Sequence, residues 1–477
     1  MNAHTMTPSG PSTSVQHDCI DPEPSETVST RINALLRTSG PGHTIRLCPR
    51  KRYLLDQPLV FGAENQEICT LGYPTGDDRA TLVVSGPSGE HSVAVDGTRP
   101  GCAGSVLRNV QIDGNRGSSV PAREGSGANI VMGGVNDHQV VEYVRSYNPR
   151  GWSCLHVTEG PLSCRNATIQ NNDIGPCGVD IEDEWADGIS ISCQDSVVRG
   201  NRVHNPSDGG IVVFSPGTEV YNNTIWVTNQ TLLGGINLVD YLPWGGDLSR
   251  TVVRDNTIVG GFRMDDSSEL GIIKIGIAIG PRIWFGAQAY QNVTTSGTVI
   301  RNRFSGAFMY GIAISSANNF VVQENAFFDN YTFIGGPGPE CEYSGDIVPA
   351  PAPFIYDTSA SENTLQPGFE AVATGELLTC MLAPAESVYW PVGTSPGSSA
   401  VARAFRDTPT SSSWTLRGLL LLFCFSCVAL YAFKGRTRGI RVPKRNRSYP
   451  GLESPVAEVL ARRVYARDLH LEKRRAF

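Results

Sequence analysis

One phrase recurs through the middle of the chain and limits what that part can fold into. Two residues that favour strands are followed by two polar or small ones, an asparagine, any residue and an apolar one. It reads Val197-Val-Arg-Gly-Asn201-Arg-Val203 and returns at residues 219–225, 252–258 and 321–327, and one residue shorter at 299–304. Looser copies occupy 168–174 and 107–112. A second phrase, Gly-Ile-x-apolar, follows the copies, starting at Gly188, Gly210, Gly235, Gly276 and Gly311. The key asparagines, 172, 201, 223, 256, 302 and 325, are 29, 22, 33, 46 and 23 residues apart. The shortest spacings define a unit of 22 residues, and the longer ones are that unit with loops inserted.

Such pieces are too short and too β-branched for helix. A unit this small cannot bury an inner face alone, so units must stack, each strand pairing in parallel with its counterpart in the next. Stacking gives the asparagine a structural task. At a corner that tolerates positive φ, its amide can bond the same residue one rung away and form a ladder. Glycine, 51 of 477 residues, fits a turn-dense architecture and counts against helical bundles.

With these motifs the sequence resembles the right-handed parallel β-helix, or pectin-lyase-like, superfamily, over roughly residues 45–335. Its repeat, Asn-x-apolar and then Asp/Asn-Gly-Ile-x-apolar, is matched from Asn201 to Val213. The resemblance implies an all-β solenoid. It also implies that Ile32-Asn-Ala-Leu-Leu36 is a short helix capping the N-terminal end, and that first turns lie at Thr44-Ile-Arg-Leu-Cys48 and Ile68-Cys-Thr-Leu71. The expected organisation is a disordered segment 1–18, a capped solenoid 19–335, a C-terminal cap or loop region 336–390 that Cys341 and Cys380 could staple, and a Pro/Ser-rich stalk 391–413.

Residues 418–433 carry no charge, and counted from Trp414 the run of 20 residues is about 30 Å long as a helix, enough to span a bilayer. We therefore expect a transmembrane helix at 414–433. Residues 434–477 hold 13 Lys+Arg against 4 Asp+Glu, a charge of +9, which leaves −16 of the total −7 for residues 1–433. Arg436, Arg438, Arg441, Lys444, Arg445 and Arg447 crowd the start of this tail. That asymmetry predicts a cytoplasmic C-terminus lying on lipid headgroups and an exoplasmic solenoid. Ten cysteines before the span and sequons at Asn166, Asn222, Asn229, Asn292 and Asn330 suit an oxidising, glycosylating compartment. Against this, the first residues show neither a basic n-region nor an apolar h-region, so no cleavable signal peptide is visible. The acidic domain argues against nucleic acid as a partner.

The densest chemistry is Asp180-Ile-Glu182-Asp183-Glu184-Trp185-Ala-Asp187. Carboxylates so close repel one another and call for solvent, retained protons or a cation. Glu182, Asp183 and Glu184 form a possible Ca²⁺ site, with no cofactor otherwise required. Asp187 and Asp208 head the Gly-Ile phrases of successive rungs, within the separation used by paired glycosidase carboxylates. The stretches Asp187-Gly-Ile189 and Ser207-Asp-Gly209 resemble polygalacturonase-like hydrolases where their acid and water-activating aspartates lie. Where that family carries Gly-His-Gly and Arg-Ile-Lys, this chain has Leu233-Gly-Gly235 and Pro281-Arg-Ile-Trp284, which counts against pectin hydrolysis. His204 is a candidate proton carrier, and Lys274, Arg282 and Arg303 are the available lyase bases. Trp185, Trp244, Trp284 and Asp240, on inserted loops, would line a groove for a sugar chain. The structural alternative stays open, because Asp-Gly is also a common rung corner. The expectation is a membrane-anchored solenoid that cleaves polysaccharide as hydrolase or lyase, or binds it without catalysis.

Overall fold

The computed structural model describes residues 19–86, 91–117, 127–179, 185–228, 230–261, 271–285, 292–333, 350–360 and 362–373, all within one compact unit. Each repeat folds as three short strands. In one rung these are Val197–Arg199, Arg202–His204 and Gly209–Val213. Each pairs in parallel with its counterparts above and below: Val198 lies between Ile169 and Val220, Val203 between Ile174 and Ile225, and Ile211 between Ile189 and Ile236. The first strands of all rungs form one sheet of 11 strands, and the second and third strands share another of 20. Alternate residues point inward, so Val198, Val203, Ile211 and Val213 are all 0% exposed in a single core that runs the length of the solenoid.

The N-terminal mouth is closed by a helix, Val28–Thr38, longer than the five residues expected. Val28, Ile32 and Leu36 form its buried stripe. Asn33 donates to the Pro58 carbonyl and accepts from Val60 N, and Gln66 Nε2 donates to the last-turn Leu36 carbonyl. The first turns fall where expected, at Thr44–Leu47 and Glu67–Thr70. At the other end the strands continue past residue 335. Ala352–Asp357 pairs with Tyr310 to Ile314, Thr364–Leu365 with Val321 and Val322, and Phe369–Val372 adds a further layer. Part of the segment expected to be a cap is thus solenoid.

The asparagine ladder forms, in a different way from the corner reading. Asn172, Asn201, Asn223, Asn256, Asn302 and Asn325 are 0–4% exposed; Asn172 Oδ1 accepts from Val144 N, and from Asn201 on each Oδ1 accepts both the backbone N and the Nδ2 of the asparagine one rung below. Each Nδ2 also caps a strand carbonyl, as Asn223 does for Val198. Gln366 takes the next place, accepting from Asn325 N. The left-handed backbone falls one residue earlier, at Asn171, Gly200, Asn222, Asp255, Arg301 and Glu324, all with φ between 53 and 63°. The ladder asparagine is therefore an inward-facing hydrogen-bond relay, and its neighbour turns the chain.

The glycines of the Gly-Ile phrase are not corner residues either. They lie inside strands, stacked from rung to rung, without positive φ. A Cβ on Gly188 would come 2.6 Å from Gly210 O, one on Gly235 2.5 Å from Gly276 O, and one on Gly276 2.6 Å from Gly311 O. Absence of a side chain lets the backbones of successive rungs approach at this point.

Outside the core, the first sheet carries a self-satisfied polar ladder. Arg108 pairs with Glu67 at 2.8 Å and Glu142 at 3.3 Å; Gln170 donates to Glu142, and Arg199 donates to Gln170 and to Tyr221 Oη. Arg254 lies 4.0 Å over the Tyr221 ring and pairs with Glu219, and Arg301 pairs with Asp255. Disulfides join Cys19 to Cys48, Cys154 to Cys177 and Cys164 to Cys193, whereas Cys69 and Cys102 are buried free thiols that burial pushes up to about 12 and about 11. The stapling pair proposed at Cys341 and Cys380, the segment 1–18, the stalk, the apolar run 414–433 and the basic tail lie outside the described residues. Among the described residues no helix is long and apolar enough to cross a membrane.

Candidate saccharide-binding face

Asp187 opens the strand Asp187–Ile191 and is 3% exposed. Its Oδ1 accepts from Gly209 N at 2.9 Å and its Oδ2 from Ser190 Oγ at 2.8 Å, and Ser190 in turn meets Ser153 Oγ at 3.2 Å. The carboxylate ties three rungs together. By register Asp187 corresponds to Gly209, which places Asp208 one residue out of step, at the counterpart of Ala186. Asp208 is half-buried at the corner before its strand, where its carbonyl accepts from Gly234 N.

The loops expected to form an open groove beside these aspartates fold down onto the strands. Trp244 Nε1 donates to Ser192 O at 2.9 Å, and Trp284 Nε1 to Asn237 Oδ1 at 3.2 Å. The outward row Ser190, Val212, Asn237, Ala278, Ala313 and Ile355 is accordingly buried, none more than 4% exposed. Several of these residues belong to a second apolar cluster with Val239, Ile275, Ile283 and Tyr310, against which Trp284 packs. Trp185 is half-buried and bridges to Gly178, and Asp240 is half-buried at the start of the Trp244 loop. Of the lyase bases, Lys274 is 0% and Arg282 6% exposed, Arg282 forming a buried pair with Asp357 at 3.5 Å; Arg303 is exposed and lies over Phe328. Lys274 and Arg282 belong to packing, and the strand row beneath the expected groove is covered, while Trp185, Asp240, Trp244 and Trp284 are themselves half-buried. Glu182, Asp183 and Glu184 lie outside the described residues; among the described residues no group of three or more possible metal ligands is present.

His204 sits elsewhere, on the middle strand of its rung, in a row of half-buried outward residues. Its ring stacks on Trp226 of the next rung with centroids 5.4 Å apart. Arg202 lies 5.3 Å over the same indole, and Arg145 lies 4.9 Å over Tyr147. Register aligns Arg145 with Asp173, Asp173 with Arg202, and His204 with Trp226. Gly175, buried and with φ 115°, stands by the same register on the rung between Tyr147 and His204, where a Cβ would run into His204 O. Arg202 is exposed, and Arg145, Tyr147, Asp173, His204 and Trp226 are half-buried. Burial lowers the His204 imidazole below its ordinary value, leaving it uncharged at neutral pH, and raises the Tyr147 phenol, which stays protonated.

Arg145, Tyr147, Asp173, Arg202 and Trp226 went unnoticed in the sequence, although a signal was present. Ladder asparagines are followed by outward positions at +1 and +3, as Arg202 and His204 after Asn201 and Thr224 and Trp226 after Asn223, and Asp173 is at +1 of Asn172. Of the candidate sequons, Asn166, Asn222 and Asn330 are exposed and Asn292 is half-buried, while Asn229 lies outside the described residues.

Residues 162–334 match the family model described as right handed beta helix region. No curated protein matches the chain. Among solved structures, it is similar to DFA-IIIase from Arthrobacter chlorophenolicus A6 in complex with DFA-III, with 15% identity, TM-score 0.43, and coverage of 73% of this chain and 90% of that one. It is also similar to the catalytic unit of the thermostable GH87 alpha-1,3-glucanase from Streptomyces thermodiastaticus strain HF3-3, with 14% identity, TM-score 0.37, and coverage of 77% and 68%. The Dettilon tailspike protein matches with 13% identity, TM-score 0.35, and coverage of 67% of each chain. Over residues 162–334 the sequence match and the stacked three-strand rungs agree on a solenoid of parallel strands, the architecture of a β-helix.

Proposed function

We propose that the chain is a cell-surface β-helix that binds an extended polysaccharide along the face bearing Tyr147, His204 and Trp226. The observation that carries this is the placement of His204 and Trp226 on neighbouring rungs and Tyr147 two rungs before His204, with Arg145 and Arg202 lying over the rings in one outward strip. Rungs are about 4.8 Å apart, a step comparable with a sugar unit, so His204 and Trp226 meet successive sugars and Tyr147 one further along. Aromatic faces supply apolar area at little entropic cost, and the donors beside them fix orientation.

Binding is favoured over cleavage because Asp187 is buried and holds rungs together, and Asp208 is out of register with it. The test is to incubate the full chain with acidic and neutral polysaccharides and to measure both retention and new reducing ends or unsaturated products. Retention without products is expected, and retention survives Asp208→Asn. Catalytic turnover abolished by Asp208→Asn contradicts the binding reading. No retention by any polymer removes the polysaccharide.

We further take residues 414–433 to anchor the chain, with the solenoid exoplasmic. Three disulfides among the described residues support an oxidising compartment. A mobility shift on enzymatic deglycosylation is expected. Its absence, with Cys154 and Cys177 reactive to alkylation before reduction, counts against that placement.

A further inference from the structure

We infer that this face selects an acidic polysaccharide whose negative groups fall on alternate sugars. The inference rests on the polysaccharide reading above and adds the charge class and its spacing. Arg145 and Arg202 are two rungs apart on one outward row, with Asp173 on the rung between them. Two rung steps put the guanidinium groups about 10 Å apart along the solenoid axis.

Neither arginine is ion-paired among the described residues. Arg145 Nε is buried and without a hydrogen-bond partner, and Nη1 makes one long contact of 3.5 Å to Gln111. This sets them apart from Arg108, Arg254 and Arg301 on the first sheet, each of which is paired with a carboxylate. A guanidinium lying over an aromatic ring is held by its face, and its terminal N–H groups can meet a planar anion, a carboxylate or a sulfate. Charge-assisted, bidentate contacts of that kind are the strong ones.

Asp173 supplies the selectivity. A negative group on the middle sugar would meet its carboxylate, and like charges brought together are what reject a wrong partner. Arg79, 6% exposed, is close enough for its charge to be felt by Asp173 and Arg145, so the strip is locally basic. Residues 1–433, the strip included, carry −16 overall. A polyanion is therefore repelled in general and attracted here, so binding depends on register.

The test uses the full chain and three polymers: hyaluronan, with one carboxylate per disaccharide, polygalacturonate, with one per sugar, and neutral dextran. Hyaluronan is expected to bind best. Arg145→Gln and Arg202→Gln are each expected to weaken it about tenfold, an effect that shrinks as salt rises. Both variants should keep the parent's thermal unfolding, because their guanidinium groups hold no ion pair. Asp173→Asn is expected to raise polygalacturonate affinity severalfold. Polygalacturonate bound more tightly than hyaluronan by the unaltered chain overturns the alternate spacing. Dextran bound as well as hyaluronan, with both arginine variants unchanged, overturns the charge class and leaves the polysaccharide reading intact. No binding to any of the three overturns both.

Discussion

Replacing Asn223 by leucine is expected to destabilise the solenoid by about 2–6 kcal/mol, at 1–3 kcal/mol for each of Asn201 N and Val198 O, since Asn201 Nδ2 and Asn256 Oδ1 keep a second partner. Asn223 Oδ1 accepts from the backbone N and the Nδ2 of Asn201, both at 2.9 Å, and its Nδ2 donates to Asn256 Oδ1 and Val198 O, also at 2.9 Å. Leucine fills a similar space and satisfies none of these groups. The comparison is Asn222→Gly, one residue earlier, where the asparagine is exposed and has φ 53°. Glycine adopts that conformation without strain, so the change should be near neutral. Denaturant midpoints followed by tryptophan fluorescence, together with exchange of the Asn201 amide, measure the contrast. Equal effects at the two positions would mean that the asparagine acts as a corner and not as a relay.

A second large effect is expected at Gly210. A Cβ there runs into Gly235 O and comes 2.8 Å from Ile225 Cγ2, so Gly210→Val must push two rungs apart. Overpacking of this kind costs about 3 kcal/mol or more, and in a solenoid the loss falls on a rung interface that all the rungs beyond it depend on. Gly76, with nothing within 4 Å of its Cβ position and no positive φ, is the control. Gly76→Ala should change stability by less than about 0.5 kcal/mol. Thermal unfolding of both variants decides the matter, and a Gly210→Val chain as stable as Gly76→Ala contradicts the stacked-glycine account.

These two positions also show how far the sequence can be read. The period of Asn201, Asn223 and Asn256 reveals the stacking, because a rung has to repeat itself to pair with the next. It does not say which of two adjacent residues takes positive φ, since Asn222 and Asn223 are the same residue type and only three-dimensional burial separates them. Gly210 reads equally well as a corner or as a place without room, and the backbone approach that decides it is invisible in one chain.

The site was less legible than the fold. The cluster of acids around Asp187 drew attention through composition, yet what covers that face comes from far along the chain: Trp244 reaches Ser192 across 52 residues and Trp284 reaches Asn237 across 47. Spacing alone cannot foresee such a contact. The strip from Arg145 to Trp226 has no motif. It arises from the alternation of single residues on neighbouring rungs, and only the register of the rungs aligns them.

The central claim is that the outward strip, and not the loop-covered face, meets the sugar chain. Hydroxyl-radical footprinting of the full chain with and without hyaluronan tests it within one molecule, since both faces carry tryptophan. Protection is predicted at Tyr147, His204 and Trp226, with Trp244 and Trp284 unchanged. Protection at Trp244 or Trp284 while Trp226 stays equally reactive would contradict the account.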